Sequence, residues 1–357
     1  MKIIAVNKGN YSMDTYEREL AFEQKKAGGW ESEYDIYREN WVKYPKEGFV
    51  SKWPLLVDLE LSTACNLKCP MCCTTLDEFK KKVERKFMDF ELFTKMIDEI
   101  AGHVPAIRLS VVGESTLHPR FVDCIAYAKK KGIKEVSFLT NGSTLSKDFF
   151  EKIMMAGADW ITVSVDGMDE VYENIRKPLK FKDIFEKMKT IKEIKQKHGF
   201  DKPVIKIQTV WPSIKSNPEE FYNKFVDYVD LMAFNPLIDF LGNDDETQIV
   251  YEDDFKCPAH YRRIIVAPNG DYFMCPSDNL RTVVLGNAYN ENLYDVWHGE
   301  KFNRVRELHK KDGGFKKIGV CKGCYHPRKT IDDEKAFING REIIIKNYIN
   351  RPQEIGK

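Results

Sequence analysis

The sequence predicts an α/β fold. The expected form is a partial (β/α)6 TIM-like barrel of parallel strands, followed by a small cysteine-bearing module of β-hairpin and helix. Three observations predict it. Short apolar, β-rich runs recur at intervals of roughly 25–45 residues, the spacing of strand–helix units. Amphipathic stretches lie between those runs. The cysteines gather in two groups, one directly after the first run and one late in the chain.

Taken in order, residues 1–50 are polar and aromatic-rich and are expected to form a helical extension. The runs LLVDLELS (55–62), IRLSVV (107–112), EVSFLT (135–140), WITVSV (160–165), VIKIQTV (204–210) and DLMAFNPLIDF (230–240) read as buried strands. FELFTKMIDEIAGH (90–103), FVDCIAYAKKKG (121–132) and KDFFEKIMMAG (147–157) read as helices, the last two stopped by glycine. Six such units fit a partial barrel over 51–245, although periodicity alone leaves a doubly wound sheet open. The chain turns acidic and polar at 241–256, where the domain boundary is expected. Residues 246–330 then form the late cysteine module. Residues 331–357, with their III run, form a helical tail.

Composition narrows the function. Over 357 residues, 56 Lys+Arg oppose 55 Asp+Glu, a net charge of +1, so no single-sign field points to nucleic acid. With 43% hydrophobic and 31% charged residues the chain has a globular balance. No run of ~18 apolar residues is present, which argues against a membrane span. The first residues lack the apolar stretch of a secretory signal, so the expected compartment is cytoplasmic.

Nine cysteines in such a compartment point to metal rather than to disulfides. Cys65, Cys69 and Cys72 form C-x3-C-x2-C, and Cys257, Cys275, Cys321 and Cys324 form C-x17-C-x45-C-x2-C. Thiolates are soft ligands that select zinc, copper(I) or iron–sulfur clusters. A cubane cluster normally takes four cysteines, so a three-cysteine loop leaves one iron open. Neither set has the paired C-x2-C knuckles of a zinc ribbon, and a cluster is favoured over zinc at both, with zinc kept as the alternative. Of the two cysteines left over, Cys124 sits in an apolar helical stretch and reads as core, whereas Cys73 adjoins the first set. The lysine run 80–82 reads as a solvated face, Trp160 as core and Trp211 as a candidate pocket wall.

CNLKCPMC after a strand resembles the signature of the radical S-adenosylmethionine (SAM) superfamily. Further segments agree in order: VVGESTLHP (111–119) resembles the family's GGE segment with Val112 in place of the first glycine, and LTNGS (139–143), SVDG (164–167) and IRK (175–177) match in turn. Cys257, Gly270-x4-Cys275 and Cys321-x2-Cys324, with LGNAYNENLYDVWHGEKFNRVR (285–306), resemble the auxiliary SPASM domain. Full-length versions carry more cysteines and two clusters. None follows Cys324, so the chain resembles the one-cluster "twitch" form and the carbohydrate-modifying members of the family, 2-deoxy-scyllo-inosamine dehydrogenases among them. The resemblance covers roughly 53–330 and leaves 1–50 and the tail uncovered.

The resemblance implies cofactor chemistry that the protein positions. It gives Cys65, Cys69 and Cys72 a [4Fe-4S] cluster whose open iron binds SAM. It gives Cys257, Cys275, Cys321 and Cys324 one auxiliary [4Fe-4S] cluster. Gly113 and Glu114 would meet the SAM ammonium, Arg176 its carboxylate, and Asn141, Ser164 and Asp166 the ribose. Reductive cleavage of SAM would yield a 5′-deoxyadenosyl radical that abstracts a hydrogen atom from a carbinol carbon. The expected outcome is oxidation of a secondary alcohol of a sugar, cyclitol or sugar nucleotide to a ketone, with the auxiliary cluster taking an electron. Acid–base candidates are His118, Arg262, His260 and Arg263. The alternatives are a radical epimerase using Cys73 as hydrogen donor, a peptide-modifying enzyme, and a non-enzymatic electron-transfer or zinc-stabilised binding protein. The expected partners are a small-molecule substrate and a flavodoxin or ferredoxin as electron donor.

Overall fold

The structure is a computed structural model and describes residues 3–4, 11–236, 244–351 and 354–355. One sheet holds Tyr11–Ser12 (β1), Leu56–Leu59 (β2), Ala106–Arg108 (β3), Glu135–Thr140 (β4), Trp160–Ser164 (β5), Val204–Val210 (β6), Leu231–Asn235 (β7), Arg263–Val266 (β8), Asp271–Phe273 (β9) and Val284–Asn287 (β10). Its order is β1-β7-β6-β5-β4-β3-β2-β8-β9-β10. Strands β2 to β7 are mutually parallel and lie in chain order. An order that never reverses has no switch point, which removes the doubly wound alternative and leaves the partial barrel. Their side chains are mostly apolar and nearly all buried, as suits parallel strands covered on both faces.

The strands expected at 135–140 and 204–210 form over those residues. β3 is shorter than its apolar run because, past Arg108, Leu109 N–H bonds to Ser137 O at 2.8 Å and the Ser110 hydroxyl accepts from Leu139 N–H. β7 ends at Asn235. The rest of that run, 237–240, and the start of the acidic boundary, 241–243, lie outside the described residues.

The helices are Tyr16–Ala27 (α1), Glu31–Glu47 (α2), Asp77–Lys82 (α3), Phe90–Ile100 (α4), Phe121–Lys130 (α5), Lys147–Met155 (α6), Asp169–Ile175 (α7), Phe181–His198 (α8), Pro218–Phe225 (α9), Leu293–His298 (α10), Glu300–Lys310 (α11) and Gly319–Gly323 (α12). α4 to α6 match expectation. α7 to α9 go beyond it. In α8 the buried stripe Ile184, Met188, Ile191 and Ile194 recurs at three- and four-residue steps between lysines. None of the described helices is long and apolar enough to cross a membrane.

The helical extension closes the floor of the barrel. Trp30, Tyr34, Tyr37 and Trp41 of and around α2 bury against Leu55, Leu56 and Ala106, at the N-terminal ends of β2 and β3. Beneath them buried Lys26 sits 3.7 Å from Glu23 and 3.8 Å from Glu135. Burial and the neighbouring Lys26 pull Lys206 down to about 7. Before the helices, β1 pairs antiparallel with β7 and covers that edge of the sheet.

The late module extends the same sheet. β8 runs parallel to β2, from Leu56↔Arg263 to Leu59↔Val266, and β9 returns antiparallel through a turn at Gly270, whose φ is 87°. The tail is not helical. Thr330–Ile338 (β11) and Arg341–Tyr348 (β12) form an antiparallel hairpin. Asn339 and Gly340 both take positive φ, 48° and 74°, the mark of a tight Asn-Gly turn, and the β-branched run Ile343–Ile345 suits a strand. The hairpin is pinned by Asn339 N–H to Glu219 Oε1 (2.8 Å) and by Arg341 Nη2 to Met13 O (2.7 Å).

Candidate active site

After β2 the chain crosses the C-terminal end of the barrel, the end at which barrel loops carry functional groups. Cys65, Cys69 and Cys72 lie on this crossing, Cys69 buried and the other two half-buried. Burial pushes the Cys69 thiol up to about 11, and Arg176 pulls it back. The same guanidinium also acts on Cys65 and Cys72. Arg176 reaches them from the end of α7 because Asp166 holds it: Nε and Nη2 both bond Oδ2, at 2.8 and 2.5 Å, and Oδ1 accepts Val210 N–H at 3.2 Å. Three convergent thiols beside one permanent, oriented cation suit a thiolate-bound, anionic iron–sulfur cluster.

The residues predicted to meet SAM lie around this loop, held by a network of hydrogen bonds. Glu114 is turned inward. One carboxylate oxygen accepts from Thr116 Oγ1 (2.6 Å) and Thr140 Oγ1 (2.8 Å), and the other from Asn141 N–H (2.7 Å). With Thr116 N–H as a further donor to the first oxygen, it staples the segment after β3 to the end of β4, and the second oxygen keeps an acceptor site beyond Asn141 N–H. Asp166 is likewise engaged, by Arg176 through Oδ2 and by Val210 N–H through Oδ1. The Asn141 amide donates to Asn66 Oδ1 (2.9 Å) and lies 3.9 Å from the Cys65 sulfur, so it braces the cysteine loop. Gly113 is required there: a Cβ would stand 2.3 Å from Ser62 O and 2.7 Å from Ala64 O. Ser164 ends β5, half-buried, at this same end of the barrel.

His118 leaves the candidate list. Its Nε2 bonds Met88 O at 2.7 Å and its Nδ1 accepts Arg120 N–H at 3.1 Å, so the ring ties the segment before α4 to the start of α5. Arg262 donates from Nε to Trp41 O (2.6 Å) and stacks on that indole, away from the first cysteine set. Arg263 pairs with Asp58 at 3.1 Å. Cys124 is core, pushed up to about 12 by burial, and Trp160 and Trp211 are both buried. Lys80 and Lys82 pair with Asp77 and Glu78 on the exposed face of α3.

Cys257, Cys275, Cys321 and Cys324 line one cavity of about 170 Å³. Among the described residues no group of His, Cys, Asp and Glu is drawn together as the ligands of a single metal ion would be. The four thiols instead stand around a space. Three histidines share its wall, His260, His309 and His326. His260 is fully buried with neither ring nitrogen bonded, and its ring lies 4.4 Å from that of His309. His309 Nε2 is 3.4 Å from Cys321 Sγ. The placement of His309 escapes the sequence: the only signal is its three- and four-residue spacing from buried Arg306 and Val305 on α11. Also unforeseen is the buried pair of Glu60, at the end of β2, with Arg281, 2.5 Å apart, which ties the segment after Cys275 to the barrel.

A cleft of about 1190 Å³ joins the two sets. Cys72, Cys73 and Cys324 all line it, with Val111, Val112, Leu280, Leu285 and Tyr348 among its walls.

Comparison with known families decides the identity. The model of the radical SAM superfamily matches residues 59–210, and that of the SPASM iron–sulfur cluster-binding domain matches 257–325. The chain is a radical SAM enzyme with a SPASM domain. The radical SAM domain uses SAM and a [4Fe-4S] cluster, and the SPASM domain carries auxiliary iron–sulfur chemistry. The chain is 28% identical over 262 residues to the tungsten-containing aldehyde ferredoxin oxidoreductase cofactor-modifying protein of Pyrococcus furiosus, covering 70% of this chain and 71% of that one. It is 29% identical over 216 residues to the AdoMet-dependent heme synthase of Methanosarcina barkeri, covering 59% and 57%. Its fold resembles that of BtrN in complex with AdoMet and 2-DOIA, with TM-score 0.55, 17% identity, and 77% and 94% of the two chains covered. It also resembles Streptococcus suis SuiB bound to S-adenosylmethionine, with TM-score 0.55, 15% identity, and 82% and 76% covered.

Proposed function

We propose that this radical SAM enzyme oxidises a secondary alcohol of a sugar, cyclitol or sugar nucleotide to a ketone. The observation that carries the reading is the one cleft lined by cysteines of both sets, Cys72 and Cys324. When bound, SAM on a reduced cluster supplies the radical that takes one hydrogen atom from the carbinol carbon, and a second cluster, fully ligated by thiolates, takes the remaining electron while the hydroxyl proton passes to solvent. Cys65, Cys69 and Cys72 hold the first cluster. Arg176, aimed by Asp166, neutralises the site and offers a planar fork to the SAM carboxylate. Gly113 lets the segment after β3 press against the cysteine loop. Ser164 is the remaining candidate for the ribose. Cys257, Cys275, Cys321 and Cys324 hold the second cluster. A small redox carrier, flavodoxin or ferredoxin, supplies the electron for cleavage.

Anaerobically reconstituted protein should carry about eight irons per chain, the sum for two cubanes. With dithionite it should convert SAM to 5′-deoxyadenosine. A Cys321→Ala/Cys324→Ala variant should keep SAM cleavage and lose ketone formation. About four irons with one zinc, or ketone formation surviving in that variant, overturns the electron-acceptor role.

One observation favours a second reading. Cys73 is buried in the cleft wall beside Cys72, where a thiol can return a hydrogen atom to substrate as in epimerisation. Deuterium from solvent at the substrate carbon, lost in Cys73→Ala, would select that reading.

A further inference from the structure

Part of the cleft wall is built by α11 and the segment after it. Lys301, Arg304, Val305 and Leu308 lie three and four residues apart on α11, hence on one face, and all four line the cleft. Lys317 joins them from beyond the helix. The three cations are exposed, and among the described residues none has a carboxylate in ion-pair range. Of the other charged groups in the lining, Lys82 is paired with Glu78 at 2.8 Å. The Asp278 carboxylate is occupied by Thr282 N–H and Oγ1 and by Val283 N–H, each at 2.9 Å. The charge left to act on a ligand is therefore positive and concentrated on this wall. The remaining wall is mostly apolar, with Val283, Leu285, Ile318 and Val320 around the cations. A neutral polyol meets little there that replaces its hydration. The cleft also exceeds the roughly 300–1,000 Å³ in which a drug-sized ligand is buried.

We infer that Lys301, Arg304 and Lys317 form an anion subsite, and that the substrate is a phosphate- or carboxylate-bearing molecule whose charged group is anchored there, in the cleft that Cys72 also lines. The inference rests on the reading of this cleft as the substrate site and specifies the substrate class. Charge-assisted contacts from three flexible cations on a rim give affinity and orientation without entering the chemistry. Phosphate and carboxylate share the required charge, and the test separates them.

The test uses full-length, anaerobically reconstituted enzyme with SAM present. Binding of inorganic pyrophosphate, of UDP, of succinate and of the neutral controls uridine and glucose is measured by equilibrium dialysis at two salt concentrations. The triple variant K301Q/R304Q/K317Q is compared with the parent chain, and K301R/K317R serves as the charge-conserving control. The expected result is salt-sensitive binding of an anionic probe, weakened roughly tenfold or more in the triple variant and kept in the control. SAM cleavage without substrate should be unchanged in all three. Binding of pyrophosphate and UDP above succinate assigns the anion to a phosphate, and the reverse assigns it to a carboxylate. Equal binding by parent and triple variant, or no binding of any anionic probe, overturns the inference. Because ketone formation and uncoupled SAM cleavage are read separately, failure of the subsite leaves the dehydrogenase reading standing.

Discussion

At Cys321 a histidine nitrogen bears on a proposed ligand of the second cluster. His309 Nε2 lies 3.4 Å from that sulfur, and an N–H directed at a cluster thiolate stabilises the more negative, reduced state. A His309→Phe variant of the reconstituted enzyme should keep its iron and show a lower midpoint potential for the second cluster, read by potentiometric titration with electron paramagnetic resonance. An unchanged potential refutes the role. His118 makes a different prediction. Burial holds its imidazole below the usual 6.5, so the folded state takes up this proton less readily than the unfolded one. The stability this group contributes is present above pH 6.5 and is lost as the pH falls through its lowered value. Thermal melts of the parent chain should fall more steeply below about pH 6.5 than those of His118→Gln, which lacks the titrating ring. At this scale the sequence disclosed the cysteines, because ligand spacing is written in the chain. It did not disclose what holds Glu114 and Asp166, because a carboxylate's partners come from other elements: Thr140 and Asn141 for one, Arg176 and Val210 for the other.

Among the elements, the floor built by α1 and α2 is the most exposed to test. Trp30 is buried against Tyr34 and Tyr37, and its indole N–H bonds Lys26 O at 3.1 Å. Trp30→Ala should cost about 3–5 kcal/mol, the usual range for emptying a large aromatic site, measured by chemical denaturation of the anaerobic holoenzyme. A loss under about 1 kcal/mol would mean that the floor collapses to fill the space. The strands of the barrel were legible because buried parallel strands are continuous apolar runs that no solvent-facing alternation interrupts. The tail was misread for a physical reason also. Its III run is equally apolar in a helix and a strand, and the Asn339-Gly340 turn that settles the matter is a two-residue signal.

For the whole molecule, the pairing of β8 with β2 is the decisive arrangement. The strand that follows Cys257 belongs to the barrel's own sheet, and Glu60 with Arg281 adds a buried tie between the same two regions. The two cysteine sets therefore share one cooperative unit. A Cys257→Ala holoenzyme should melt earlier as a single transition in calorimetry, and a separate low-temperature transition for residues beyond 257 would refute the coupling. This union was not legible in advance. The acidic stretch at 241–256 reads as a boundary, and only three-dimensional pairing reveals that the chain crosses it and returns to the first strand.

Buried Cys73 and the exposed trio on α11 and after it line one vestibule. A guest beside the buried sulfur leaves the exposed rim for a second one, so loading is a queue: the sulfonium compound enters first and its fragments depart last. Initial-rate patterns should then be those of ordered addition, with the spent nucleoside competing against its parent and not against the second substrate.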